Sequence, residues 1–125
     1  MSATEPAQVI EQFVKFFNSG DLDGLMDNLY EDDVVFVPAP GADIAQGKPA
    51  VRENLAGFPD LKGTMTILSG TAFQNGDLAL THAHWKLEVP GQDTMEATTA
   101  EVVRRQSDGS WKYVVDNPWG GAILG

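Results

Sequence analysis

The first sixty residues place apolar side chains three and four positions apart, which is the period of an α-helix that packs on one face. Thr4 is a suitable N-cap for a first helix, and the Asn-Ser-Gly stretch at 18–20 ends it. Asp21 can cap a second helix, and Pro49 fits the first turn of a short third one. Residues 34–38 lie between these helices and predict a short strand.

The second half of the chain changes to β-rich runs separated by turn-forming connectors. The runs cover residues 61–73, 77–89, 94–106 and 110–118. Helices followed by a meander of antiparallel strands predict an α+β fold, with the helices packed on one face of a curved sheet. We expect a single domain over residues 1–125, with about three helices and five to six strands.

Composition restricts the partners more than it restricts the fold. The chain carries 8 basic and 18 acidic residues, and the resulting net charge of −10 disfavours nucleic acid and membrane surfaces. It has no cysteine, which excludes disulfides and thiolate chemistry. The sequence shows neither a signal-peptide pattern nor an apolar run near the roughly 20 residues that span a bilayer. A soluble cytoplasmic protein is therefore expected.

The candidate chemistry centres on the only two histidines, His82 and His84, which strand periodicity places on one face of the second β-rich run. Both faces of that run are partly apolar, so the pattern leaves open which face meets the helices. If the next two connectors form four-residue hairpin loops, His82 lies opposite Glu101, and Glu101 lies opposite Asp116. This register predicts one imidazole and two carboxylates side by side, although a slip of one residue would scatter them.

The order of the elements resembles the nuclear-transport-factor-2-like superfamily, and within it the SnoaL-like and ketosteroid-isomerase-like group. The segments that carry the resemblance are "GDLDGLMDNLYEDDVVFVPAPGADIAQGKPAVRENLAGF" and "GSWKYVVDNPWG". The resemblance implies a cone in which the sheet wraps a helix, with a pocket at the wide end and a homodimer formed through the outer sheet face. The superfamily includes enzymes, association modules and proteins without chemistry, so the resemblance specifies the fold better than the activity.

The resemblance also implies which side chains line the pocket and which face outward. Trp85 and Trp111 are expected on the outer face, where a dimer would cover them. Ketosteroid isomerases carry an Asp base where this chain has Pro38 and a Tyr donor near Val14, so steroid isomerisation by that mechanism is not expected. The residues implied at the pocket are Tyr30, His82, His84, Glu101, Val103, Val114 and Asp116. Phe58 and Trp119 are further candidate ligand contacts, and Trp119 could close either the pocket mouth or the dimer interface.

Two carboxylates and two imidazoles in a partly dry cavity can hold one base ionised and one acid protonated near pH 7. Asp116 is the predicted base, His82 orients it or shares its proton, and Tyr30 or protonated Glu101 donates to a developing oxyanion. The predicted function is a cofactor-free isomerase, cyclase or dehydratase that acts on a small apolar carbonyl compound. The alternative is a module of the same fold that binds a small ligand or dimerises without catalysis.

Simpler structural roles remain open for the same residues at this point. The histidines could face solvent, Glu101 could pair with a neighbouring arginine, and Asp116 could form a turn before Asn117 and Pro118. Two histidines and a carboxylate on one face could also hold Zn²⁺ or Fe²⁺, although the spacing is a loose signal and we assign no metal ligand.

Overall fold

The computed structural model of the protein describes residues 3–120. The helices are α1 (Gln8–Ser19), α2 (Leu22–Leu29), α3 (Lys48–Leu55) and the single turn α4 (Phe58–Leu61). The strands are β1 (Tyr30–Phe36), β2 (Ala45–Gln46), β3 (Thr64–Asn75), β4 (Leu78–Glu88), β5 (Met95–Thr98), β6 (Ala100–Arg105) and β7 (Trp111–Asn117). The predicted α+β fold is confirmed. Two short elements, β2 and α4, were not predicted. The third β-rich run is divided at Thr99 into two strands, β5 and β6.

All seven strands form one sheet in the order β2-β1-β7-β6-β4-β3, and β5 pairs with β4 beyond the end of β6. Strand β1 runs parallel to β7, and the other pairs are antiparallel. Helix α1 contacts both β3 and β7, so it lies across the sheet and covers its inner face. In the described part of the chain, no helix is long and apolar enough to cross a membrane.

The N-terminal caps agree with the sequence at one helix and differ at the other. Asp21 caps α2, because its carboxylate accepts the Gly24 N–H at 2.8 Å. Helix α1 begins at Gln8 rather than directly after Thr4. The Gln8 side-chain oxygen accepts both the backbone N–H and the hydroxyl of Thr4, at 2.9 Å each, so Thr4 bonds to a side chain instead of capping the helix.

The predicted register between the second and third β-rich runs is wrong by one residue. Glu101 lies opposite Thr81, not opposite His82. The physical reason is the connecting turn, in which the Val89 carbonyl accepts the Gln92 N–H at 3.0 Å, so Val89 belongs to the loop and not to the ladder. Because strand side chains alternate between faces, this single residue moves both histidines to the outer face of the sheet.

The second hairpin brings Glu101 opposite Asp116, as predicted. Near the turn, however, Trp111 lies opposite Arg105 and not Gln106. A bulge at Val114 compensates, because Tyr113 pairs with Val103 while Val115 pairs with Val102. The extra residue restores the predicted pairing at the two carboxylates.

The expectation that Trp85 and Trp111 face outward is also wrong, because both indoles are buried. The corrected register places Trp85 on the inner face of β4, next to Thr81 and Ala83. Trp111 is enclosed in the core, where its backbone N–H donates to the Ala3 carbonyl at 2.9 Å. Neither tryptophan is available to a dimer interface on the outer face.

Candidate functional site

Two carboxyl groups lie side by side on the inner face of the sheet. Glu101 on β6 and Asp116 on β7 are directly opposed, with only 2% and 3% of their surfaces exposed. Glu101 does not pair with the neighbouring arginines, since Arg104 binds Glu31 and Arg105 binds Asp77. Both carboxyls are thus buried without a basic partner, an arrangement that costs free energy unless at least one of them keeps its proton.

Neighbouring hydroxyl groups hold each carboxyl in place. The Tyr30 hydroxyl, at the start of β1, donates to Asp116 Oδ2 at 2.6 Å. The hydroxyls of Thr99 and Thr81 donate to Glu101 Oε1 at 2.8 and 3.2 Å. Because Oε1 already accepts two hydrogen bonds, the proton of a neutral Glu101 belongs on Oε2.

The surroundings separate the proton affinities of the two acids. Burial raises the pKa of Glu101 to about 8, the charge of Asp116 raises that pKa too, and the hydroxyls of Thr99, Tyr113 and Thr81 lower it. Burial also raises the pKa of Asp116, to about 6, against the lowering effect of hydrogen bonds from Tyr30 and Glu101. Near pH 7 the pair therefore holds one proton, and the stronger effect of burial and of the neighbouring charge on Glu101 makes it the more proton-binding member.

Two tyrosines lie against this pair. Burial raises the pKa of Tyr30 and Tyr113 well above the ordinary phenol value, and the charge of Asp116 or Glu101 adds to the effect. Both phenols therefore stay protonated near neutral pH. Unlike the Tyr30 hydroxyl, the buried Tyr113 hydroxyl lies near Glu101 without a hydrogen bond of ordinary geometry to any group among residues 3–120.

A cavity of about 190 Å³ opens onto the two carboxyls from the side of the helices. Apart from these acids and Thr99, its walls are almost entirely aromatic and aliphatic, so it suits a small apolar ligand with one polar group. The lining residues come from two helices, six strands and the segments around them: Ile10, Phe13, Phe17, Phe36, Pro38, Asn54, Leu55, Met65, Trp85, Leu87, Met95, Thr99, Glu101, Tyr113, Asp116, Pro118 and Trp119.

Trp85 and Trp119 form a hydrogen-bonded aromatic part of the cavity wall. Their rings meet edge to face with centroids 5.3 Å apart. The Trp85 indole N–H donates to the Pro118 carbonyl at 2.9 Å, and the Trp119 indole N–H donates to the Pro38 carbonyl at 3.1 Å. Both indole donors are occupied, so these rings offer a ligand apolar surface and not hydrogen bonds.

Some residues expected at the pocket lie elsewhere. Phe58 is buried against Phe17, with ring centroids 4.8 Å apart, and Val103 is enclosed in the core. Val114 is the bulged residue of β7, and none of these three lines the cavity. Tyr30 reaches the site as predicted, but it lies behind Asp116 and does not form part of the cavity wall.

The histidines do not share the site with the carboxyls. His82 Nδ1 lies 2.9 Å from the Thr99 carbonyl, and His84 Nε2 lies 3.1 Å from Glu96 at the surface. The corrected register separates both rings from Glu101 and Asp116 by the thickness of the sheet. The set of two histidines and one carboxylate is not formed, and residues 3–120 contain no other group of three potential metal-ligating side chains.

Thr81, Thr99 and Trp85 are the site residues that the sequence reasoning missed. The signal was present in β4: the face with Ala79, Thr81, Ala83, Trp85 and Leu87 carries no charge, whereas the histidine face continues into Lys86 and Glu88. An uncharged face is the one expected to meet the helices. Thr99 carried no comparable signal, because its role arises from the break between β5 and β6.

Comparison with known proteins agrees with the geometry. The chain is similar to a nuclear-transport-factor-2-like protein of unknown function from Pseudomonas putida KT2440, with 23% identity, 87% of this chain and 79% of that chain covered, and a TM-score of 0.75. It is similar at 17% identity to a candidate dehydratase of the same superfamily from Streptomyces avermitilis, with coverages of 87% and 89% and a TM-score of 0.71. At these identities the similarity establishes the fold and not the activity.

A further structural relative is a candidate scytalone dehydratase from Novosphingobium aromaticivorans, with 14% identity, coverages of 87% and 76%, and a TM-score of 0.72. No curated protein sequence matches the chain. The SnoaL-like domain family matches residues 10–114, which is most of the chain and includes every strand except the last residues of β7. This protein therefore belongs to the SnoaL-like family and has the nuclear-transport-factor-2-like fold.

Proposed function

We propose that the protein is a cofactor-free acid/base enzyme that moves a proton on a small, mostly apolar carbonyl or hydroxyl compound. The observation that carries this proposal is the pair of opposed, buried carboxyls, Glu101 and Asp116, at the polar end of an apolar cavity. One member is ionised and the other is neutral near pH 7, which are the states that a base and an acid need.

In this mechanism Asp116 accepts the proton from a carbon next to the substrate carbonyl. When the substrate binds, the Oε2 proton of Glu101 turns from Asp116 to the substrate oxygen and moves onto it as charge develops there. Isomerisation is completed when Asp116 returns its proton to another carbon and the enol oxygen returns its proton to Glu101, which re-forms the carbonyl. In a dehydration the acid instead protonates the departing hydroxyl, which leaves as water. The dehydratase names of two structural relatives support this reaction class.

The substrate is constrained by size and polarity. A cavity of about 190 Å³ with fixed indole walls favours a flat, ring-containing molecule with a single oxygen at the carboxyl end. A carboxylate group on the ligand would be repelled by ionised Asp116, which has no basic residue beside it. We therefore expect neutral compounds to bind in preference to acids.

The test is hydrogen–deuterium exchange, followed by NMR, at the carbon next to the carbonyl in a panel of small cyclic ketones and β-hydroxy ketones. Asp116→Asn should slow any enzyme-dependent exchange by about 10²- to 10⁴-fold, because a positioned general base contributes on that scale. Glu53→Gln, an exposed change on α3, is the matched control and should leave the rate unchanged.

Undiminished exchange in folded Asp116→Asn would overturn the proposal. Binding of a ketone to wild-type protein without any exchange would favour the alternative of a non-catalytic ligand-binding module. Circular dichroism of each variant separates a loss of chemistry from a loss of fold.

A further inference from the structure

The regular hydrogen-bond ladder between β4 and its neighbours is interrupted at Thr99. The Thr99 N–H donates to the Ala83 carbonyl at 2.8 Å, as a ladder requires. The return bond runs from the Ala83 N–H to the Thr99 hydroxyl, at 2.9 Å, and not to the Thr99 carbonyl. That carbonyl is 2.9 Å from His82 Nδ1, on the outer side of the sheet. The Ala83 N–H thus bonds to the Thr99 side chain instead of the Thr99 carbonyl, and that carbonyl bonds to His82 instead.

This exchange fixes the direction of the Thr99 hydroxyl hydrogen. A carbonyl oxygen can only accept, so Nδ1 of His82 carries a hydrogen and donates it to Thr99. The Thr99 hydroxyl accepts from Ala83, and its single hydrogen is directed to Glu101 Oε1 at 2.8 Å. Two hydrogen bonds, one to the backbone carbonyl of Thr99 and one from its hydroxyl, therefore connect a half-buried ring on the outer face to the buried acid through the covalent frame of one threonine.

We propose that His82 is a positioning residue, which holds the Thr99 carbonyl on the outer side of the sheet and thereby keeps the Thr99 hydroxyl on Glu101. Without His82, the Thr99 carbonyl is free to take back the Ala83 N–H, and the hydroxyl loses the bond that orients it. His82 acts on the site without touching the cavity ligand. The importance of this device for turnover rests on the proposed function, whereas the contact chain itself does not.

The experiment is a ¹³C NMR titration of the Glu101 carboxyl, which needs no substrate. Among the three hydroxyls that lower the pKa of Glu101, that of Thr99 has the largest effect. Thr99→Val should therefore reduce the acid dissociation constant of Glu101 by about tenfold, since a donor to the ionised form is lost. His82→Ala should reduce the constant in the same direction by about threefold, because the hydroxyl becomes misdirected but remains present.

Two further variants separate positioning from a general structural effect. An asparagine amide can place an N–H where His82 Nδ1 lies, so His82→Asn should titrate like wild type. His82→Gln is similarly polar but too long for that bond, and it should titrate like His82→Ala. His84→Ala is the matched control on the same face, because His84 pairs with Glu96 and does not contact Thr99.

The proposal is overturned if His82→Ala and His84→Ala give the same Glu101 titration, or if the asparagine and glutamine variants do not differ. If His82→Ala does not fold, the comparison of those two variants decides the matter. Because the readout is a titration, a wrong contact chain and a wrong enzymatic proposal remain distinguishable. If the contact chain is wrong, the result of the Asp116→Asn exchange experiment does not change. If the enzymatic proposal is wrong, the result of the Glu101 titration does not change.

Discussion

Glu101 and Asp116 are chemically similar acids whose neighbours give them different protonation states. Glu101 receives hydrogen bonds only from hydroxyls with modest dipoles, and it is next to a negative charge. Asp116 receives a short bond from the Tyr30 phenol, which stabilises the ionised form. The assignment of base and acid thus depends on which carboxyl Tyr30 contacts, and Tyr30 is the residue whose removal changes it most directly.

Tyr30→Phe should raise the pKa of Asp116, because the carboxylate loses its main donor. The rate of any proton transfer should then fall at a higher pH on the acid side of its profile, by about one to two pH units, since a bond to a charged group is worth about 1.5–3 kcal/mol. The measurement is the pH profile of the exchange rate, or the ¹³C titration of Asp116. Glu53→Gln, an exposed change on α3 away from the pair, is the control. Equal acid limits in the two variants would contradict the assignment.

Glu101 also links stability to pH. Its pKa is about 8 when folded and 4.5 as an ordinary carboxyl, so the folded chain holds the extra proton between these values. The contribution of Glu101 to the free energy of unfolding should therefore be largest below about pH 4.5 and fall by up to about 1.4 kcal/mol per pH unit until the pH passes 8. Asp116, with a pKa of about 6, adds to this fall only in the acidic part of the range.

Glu101→Gln should flatten that slope. The amide oxygen can still accept from Thr81 and Thr99, and the amide nitrogen takes the place of protonated Oε2 without titrating. Urea denaturation at pH 5, 7 and 9 measures the effect, and we expect the variant to exceed wild type in stability at pH 9. Glu53→Gln on the surface of α3 should keep the wild-type slope. Parallel curves for wild type and Glu101→Gln would refute the buried-acid account.

At the scale of elements, the local sequence pattern predicted the main helices and strands correctly. It did not predict the strand register, because the register depends on how many residues each turn contains. The helices, the strand-rich second half and the α2 cap follow from periodicity and residue type. The register did not, because whether Val89 joins β4 or the loop is decided by a turn in which Gly91 has a φ of 80°. The Glu101–Asp116 pair was predicted correctly, but only because the bulge at Val114 offset an error at the turn.

The cap of α2 gives a direct test of this local reasoning. Asp21→Ala removes the carboxylate that accepts the Gly24 N–H, and it should cost about 1 kcal/mol of unfolding free energy. Thr4→Ala is the control, since Thr4 bonds to the Gln8 side chain at an exposed position and does not cap α1. We expect it to cost less than half as much in urea denaturation. An equal loss in both variants would mean that the bond to Gln8 acts as a cap after all.

The molecule as a whole has an outer sheet face that differs from the rest of its acidic surface. Phe73 and Leu80 are directly opposed there and are 60% and 43% exposed, with Leu78 beside them. Around Phe73 and Leu80 the outward positions carry no acidic side chain, in a protein of net charge −10, and the acids of this face, Glu88 and Glu96, lie toward the far end of β4 and on β5. The outward positions without an acid are Ser69, Thr71, Phe73, Asn75, Leu78, Leu80, His82, His84, Ala100, Val102, Arg104, Lys112, Val115 and Asn117.

We expect this outer face to pair with a second copy of the chain, because two such faces bury apolar side chains without bringing their acids together. Sedimentation velocity at tens of micromolar should then give a dimer for wild type and a monomer for Leu80→Glu, in which a charge enters the apolar centre. Leu61→Glu is the matched control: Leu61 is 41% exposed, but it lies on α4 and away from the outer face, so this variant should remain dimeric. A monomeric wild type, or dissociation of both variants alike, would show that the apolar face has no such partner.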